Sequence, residues 1–199
     1  MPDGLRALAG ETASYTRTRP IFGHVLERFL PDTVRTDFLY PDDLVRNAIL
    51  QVLGISAADS RLVGNRRFLV TQGCRSGECS GSKGLVVADT ETGALCAVLY
   101  RDRSYPVDNR TGSARQVDRP VVRVLAEIFL PAPGPSPNTA ADPLIDVCTA
   151  EFAAATQRLV PSGYWIERGE IGVRVAPDFR SAPEVAARFQ LWDGAPRPF

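Results

Sequence analysis

Histidine, lysine and methionine are nearly missing from this chain: His24, Lys83 and Met1 are the only ones among 199 residues. The shortage of histidine removes the commonest general base and zinc ligand from most of the sequence. Any Ser-His-Asp or Cys-His arrangement would have to recruit His24, and no flanking pattern supports that. His24 falls within a helical stretch beside Val25 and reads as a structural or surface residue. No run approaches the roughly 18–20 apolar residues that a membrane span needs. An excess of either charge is also lacking, since 23 basic and 23 acidic residues balance. No general field therefore draws nucleic acid or an anionic membrane. The basic residues are almost all arginine, and with the richness in proline and alanine this fits a high-GC coding sequence. Met1-Pro2-Asp3-Gly4 lacks the basic and then apolar pattern of a secretory signal. Either the protein stays in the cytosol or this is the trimmed form of an exported one.

The composition is that of a globular protein, 44% apolar and 23% charged. The length suits one domain, or at most two small ones, and suffices for a core without metals. Residues 1–18 are polar and small and read as a loosely packed arm, followed by a single domain over 19–199. Pro20 opens a helical pattern that carries Phe22, Val25, Leu26 and Phe29 on one face and stops at Pro31. A second helix is predicted from about Pro41 to Leu53, with Asp42 and Asp43 in its first turn, where the helix dipole favours anions. Gly54 is its natural stop.

The middle of the chain reads as β. Arg67–Thr71, Gly84–Asp89 and Ala94–Tyr100 form three runs, with Thr90–Gly93 as a turn. They predict an antiparallel meander, and residues 101–118 a polar loop. The spacing of Val121, Val124, Leu125 and Ile128 predicts a helix over 120–130, with a strand as the alternative because of the β-branched residues. A stiff Pro-rich connection follows at 131–138. Asp142-Pro143 is a helix start with Asp as N-cap. Tyr164–Ile166 and Glu170–Val175 predict a hairpin around Arg168-Gly169, and Ser181 with Glu184 forms a capping-box pattern. The expected fold is α+β: an antiparallel sheet with flanking helices, the later ones covering the early sheet. Trp165, Trp192, Tyr164 and Phe199 cluster late in the chain and read as packing groups, with an exposed aromatic patch as the other reading.

The most informative segment is Gly73-Cys74-Arg75-Ser76-Gly77-Glu78-Cys79, flanked by two strands. Cysteines near the top of a hairpin can reach the Cα separation of about 4.4–6.8 Å that a disulfide needs. So short a bridge is worth only roughly 2 kcal/mol by chain entropy. It gives more to shape, because it would hold Arg75, Ser76, Gly77 and Glu78 as a rigid projection, and pre-ordering lowers the entropy cost of binding.

This loop resembles that of the inhibitors of vertebrate-type lysozyme, a periplasmic bacterial family whose signature is a protruding Cys-Lys-Pro-His-Asp-Cys loop between strands. Cys74 and Cys79 match its cysteines, Arg75 keeps the positive charge, and Glu78 keeps the acid. Leu8-Ala-Gly-Glu-Thr12 is similar to an early segment of that family, and the likeness spans residues 8–102. Ser76 stands in place of its proline and Gly77 in place of its central histidine, which carries much of the inhibitory contact. The chain also has a longer C-terminal part. The resemblance thus implies a shared fold and a periplasmic or secreted origin more than lysozyme itself as target.

Other readings of the cysteines remain open. A short disulfide hairpin also serves stability alone in exported domains, and in the cytosol the thiols would stay reduced. Four cysteines spread from 74 to 148 make a poor zinc set. Cys96 and Cys148 each read as small buried hydrophobes, able to pair if the helix packs on the strand. Ser80-Gly-Ser-Lys83 matches Ser-x-x-Lys, but the Lys-Thr-Gly strand of penicillin-binding enzymes has no second lysine to form it. Gly81–Gly84 lacks the spacing of a phosphate loop. The expectation is a non-enzymatic exported binding protein without cofactor or metal, presenting Arg75–Glu78 to a protein such as a wall hydrolase or toxin. The alternatives are an enzyme with an unrecognised carboxylate or serine site, and a cytosolic assembly subunit with reduced cysteines.

Overall fold

The computed structural model describes residues 2–56, 58–77, 79, 81–105, 121–132, 142–157 and 165–189. The chain begins with helices α1 (Pro2–Arg6), α2 (Ala13–Thr16) and α3 (Pro20–Phe29). The short strands β1 (Arg35–Thr36) and β2 (Asp43–Leu44) then lead into α4 (Val45–Val52). Strands β3 (Ile55–Ser56), β4 (Arg61–Val63), β5 (Phe68–Cys74), β6 (Ser82–Asp89), β7 (Leu95–Tyr105) and β8 (Val121–Leu130) follow. The last described part holds α5 (Pro143–Gln157), β9 (Trp165–Val175), β10 (Arg180–Ser181) and α6 (Pro183–Ala186). The eight-stranded sheet has the order β10-β9-β8-β7-β6-β5-β3, with β4 also on β5. All its pairs are antiparallel except β8 with β9. The fold is therefore α+β, and the meander β5-β6-β7 predicted from sequence is present and continues into β8.

Both faces of the sheet are buried, which explains why its strands read as continuous apolar runs. Leu69, Val86, Ala97, Leu99 and Phe129 face α1 to α4, where they meet Leu5, Phe22, Leu26, Ile49 and Val52. Their sequence neighbours Val70, Leu85, Val87, Cys96, Val98 and Ile128 face the other way, against Leu144, Cys148 and Phe152 of α5. This alternation puts successive side chains on opposite faces. It also corrects the helix expected over 120–130. Val124, Ala126, Ile128, Phe129 and Leu130 are all buried, so the two-sided pattern of β8 imitates a helical stripe. The hairpin expected around Arg168-Gly169 is instead one continuous strand, β9, laid parallel to β8 with an irregularity between Val124 and Ala126. Parallel neighbours need a crossover, and α5 supplies it.

Other expectations change as well. Residues 2–16 are not a loose arm: Leu5, Leu8, Ala13 and Thr16 are buried, and a chain of hydroxyls runs Thr16–Ser60–Thr71 at 3.0 Å per step. The second helix begins only at Val45. Asp42 takes a left-handed φ of 56° and its N–H donates to Asp37 Oδ1 at 2.9 Å, so the aspartates shape a turn into β2 rather than a first helical turn. Residues 101–105 of the predicted polar loop are strand, because β7 runs on to Tyr105, and the rest of it lies outside the described residues. Ser181 lies in β10 and caps nothing, since Ala182 precedes α6 without a side-chain hydrogen bond. Asp142 does cap α5, accepting from Leu144 N–H at 2.9 Å. The Pro-rich stretch beyond residue 132, Tyr164, Trp192 and Phe199 lie outside the described residues.

The β6–β7 turn is fixed by a nearly buried carboxylate. Asp89 is 3% exposed and accepts from the Arg67 guanidinium at 2.7 Å and from Glu91 N–H at 2.9 Å. Burial opposes its ionisation, yet the bonds from Arg67, Glu91 and Thr92 outweigh burial and hold its pKa below the ordinary aspartate value. A lowered folded-state pKa contributes stability that is present above about pH 4, the unfolded value, and is lost as pH falls through the folded one. Asp89→Asn should cost about 2 kcal/mol at pH 7 in urea unfolding and shrink the difference between variant and parent below pH 4. A constant difference from pH 7 to pH 2 would contradict this.

Candidate functional site

The cysteine loop caps the β5–β6 hairpin. Glycines face each other across that hairpin, Gly73 opposite Gly84, with Cys74 opposite Lys83 in the next pair. The missing side chains let the end of α4 lie directly on the sheet: a Cβ on Gly73 would stand 2.9 Å from Leu53 Cα, and one on Gly84 would stand 2.2 Å from Val52 Cγ2. The chain then leaves β5 with Arg75 N–H donating to Ser82 O at 3.0 Å. Cys74 and Cys79 are disulfide-bonded, with Cα atoms 4.8 Å apart. Gly77 takes a left-handed φ of 80°, which a side chain would resist. Ser76, Gly77 and Cys79 are exposed, Arg75 is half-buried, and Glu78 and Ser80 lie outside the described residues.

Arg75 does not project from the tip. Its guanidinium lies 5.0 Å from the centroid of the Tyr40 ring and donates to the Tyr40 hydroxyl. Guanidinium–ring stacking of this kind is worth about 0.5–1 kcal/mol at an exposed site. The segment that carries Tyr40 is itself anchored on the sheet. Arg101 lies 5.3 Å from the Phe38 ring centroid, Phe38 N–H donates to Thr36 Oγ1 at 3.0 Å, and Thr36 donates to Glu127 Oε2 at 2.9 Å. On the other side, Ile55 of β3 pairs with Cys74. Tyr40 is 45% exposed and Ile55 41%, so two of the large hydrophobics that face solvent border the stapled tip. Sequence reading missed both. Tyr40 stacks on a residue 35 positions away, and no local pattern announces such a contact.

The inner cysteines are also joined, Cys96 in β7 to Cys148 in α5, at a Cα separation of 6.3 Å. Both are fully buried, so the reading as small hydrophobes gives way to a covalent link between α5 and the sheet. No free cysteine remains among the described residues. Such pairing fits a compartment that does not reduce disulfides.

Lys83 lies in β6 rather than on a helix after a serine nucleophile, and a strand rather than a helix follows Gly84. His24 is an exposed residue of α3 beside a cleft of about 50 Å³, far below the roughly 300 Å³ of an ordinary ligand pocket. A broader depression of about 610 Å³ is lined by Gly10, Asp59, Ser60, Arg61 and Arg66, and the buried Ser60 hydroxyl is bonded inward to Thr16 and Thr71 at 3.0 Å. Among the described residues, no group of three or more His, Cys, Asp or Glu is placed to hold a metal ion. No helix of the described residues is long and apolar enough to cross a membrane. No protein-family model, curated protein or solved structure matches the chain.

Proposed function

We propose that this chain is a non-enzymatic binding protein of an oxidising compartment, periplasmic or secreted, that docks on a protein partner through its stapled hairpin tip. The observation that carries this reading is the Cys74–Cys79 bond closing a short loop whose Ser76 and Gly77 are exposed. A tetrapeptide held at both ends loses little freedom on binding, so its contacts are retained as affinity rather than offset by ordering. Tyr40, stacked on Arg75, and Ile55, paired with Cys74, add exposed apolar surface beside the tip. Exposed aromatic and arginine groups are the residue types that anchor protein interfaces.

The similarity of the loop to the lysozyme inhibitors makes lysozyme-type wall hydrolases and toxins the first partners to test. With Gly77 where those inhibitors carry histidine, the contact passes to Arg75 and Glu78. Arg75→Ala and Glu78→Ala should each weaken binding to a susceptible hydrolase about tenfold in surface plasmon resonance, equivalent to roughly 1.4 kcal/mol. Binding that survives unchanged in both variants would rule out the loop as the contact.

A further inference from the structure

We infer that the Cys74–Cys79 bond is a redox latch: a dithiol reductant opens it, and with it the tip, while the Cys96–Cys148 bond stays closed and the fold intact. Its chemistry rests on the difference in exposure between the two bonds, and its effect on a partner rests on the function proposed above. Thiol–disulfide exchange needs a thiolate to reach a sulfur along the S–S axis. The two bonds differ sharply in that respect. Cys79 is exposed, whereas Cys96 and Cys148 are both at 0% exposure, sealed between β7 and α5.

The reaction balances without an outside oxidant. One thiolate of the dithiol attacks Sγ of Cys79; the S–S bond breaks and its electron pair passes to Sγ of Cys74, 5% exposed, which takes a proton. The second thiolate of the reductant then attacks the mixed disulfide and releases Cys79 as a thiol. Two electrons and two protons pass to the protein, and the reductant leaves as its cyclic disulfide.

Opening is local because other bonds hold the hairpin. β5 and β6 stay paired from Phe68–Asp89 to Cys74–Lys83, and Arg75 N–H still meets Ser82 O at 3.0 Å. What is lost is the tether on Ser76, Gly77 and Cys79, and with it the pre-ordering that the binding proposal uses. Opening is reversed when the reductant's own cyclic disulfide takes the two electrons back through the same exchange, and a sequence separation of 5 keeps the two thiols near each other.

The native full-length protein should be titrated with dithiothreitol, quenched with iodoacetamide and read by peptide mass spectrometry, with trypsin cleavage after Arg75 followed in parallel. Cys74 and Cys79 should be alkylated at reductant concentrations at least tenfold below those that expose Cys96 and Cys148. Cleavage after Arg75 should quicken at least tenfold over the same range, with no change at Arg67. Simultaneous labelling of all four cysteines overturns the latch, as does selective reduction that leaves the cleavage rate unchanged. A Cys74→Ser/Cys79→Ser variant should cleave at the reduced rate without reductant, and cleavage at the oxidised rate would also overturn it. If the oxidised protein binds no lysozyme-type hydrolase, the functional proposal fails while these readouts still decide the latch.

Discussion

Replacing Cys96 and Cys148 together by alanine is expected to lower the unfolding free energy by about 4 kcal/mol, with a melting temperature roughly 8–16 °C lower. The size follows from chain entropy. The bond closes a sequence separation of 52 residues, and the denatured chain without it gains far more freedom than it would from losing a short loop. The Cys74→Ala/Cys79→Ala pair, with a separation of 5, should cost only about 2 kcal/mol by the same relation. The location matters as well. α5 crosses over between β8 and β9 and covers the face that holds Val87, Val98 and Ile128. Cys148 pins it there, while the Tyr100 and Phe152 rings meet edge to face at 5.5 Å. Urea titrations of both double variants test the ordering. Equal losses, or a larger loss for the tip pair, would show that native-state packing rather than chain entropy sets the contribution of the inner bond.

Gly73→Ala should cost about 3 kcal/mol, and no neighbouring substitution should recover it. The added Cβ would stand 2.7 Å from Ile55 O and 2.9 Å from both Leu53 Cα and Val52 O, all backbone atoms. Relief requires the end of α4 and the start of β3 to move together, and those residues support the tip. Gly84→Ala, on the facing strand, should cost about 2 kcal/mol and behave differently. Its nearest obstacle is a side chain, Val52 Cγ2 at 2.2 Å. In a Val52→Ala background the additional cost of Gly84→Ala should therefore drop below about 1 kcal/mol. A double-mutant cycle in urea measures the coupling. If Gly84→Ala costs the same in both backgrounds, the close approach of α4 to the sheet is not what fixes glycine there. A neutral Gly73→Ala would mean that the backbone of α4 and β3 does not fix glycine at that position either.

Local signals were legible where local physics decides. Pro20 and Pro31 bracket α3, Asp142 caps α5, and Gly93 takes the positive φ of 75° that its turn requires. The three central strands announce themselves by β-branched runs between turn residues. The misread segments share one cause. β8 and β9 lie inside the sheet, paired on both edges, so neither alternation nor a turn-like Arg168-Gly169 reported their state. The aspartates at 42 and 43 suit a helix start in isolation, and only the pairing of β2 with β1 claims them for a turn.

The sequence by itself determined the α+β class, the central meander and the loop with cysteines at its two ends, because each of these depends on residues close in the chain. Tertiary structure decided that Cys96 meets Cys148, that Arg75 rests on Tyr40, and that Leu5, Leu8 and Ala13 belong to the core. Those contacts join residues far apart in sequence, and they form only once the helices have closed over both faces of the sheet.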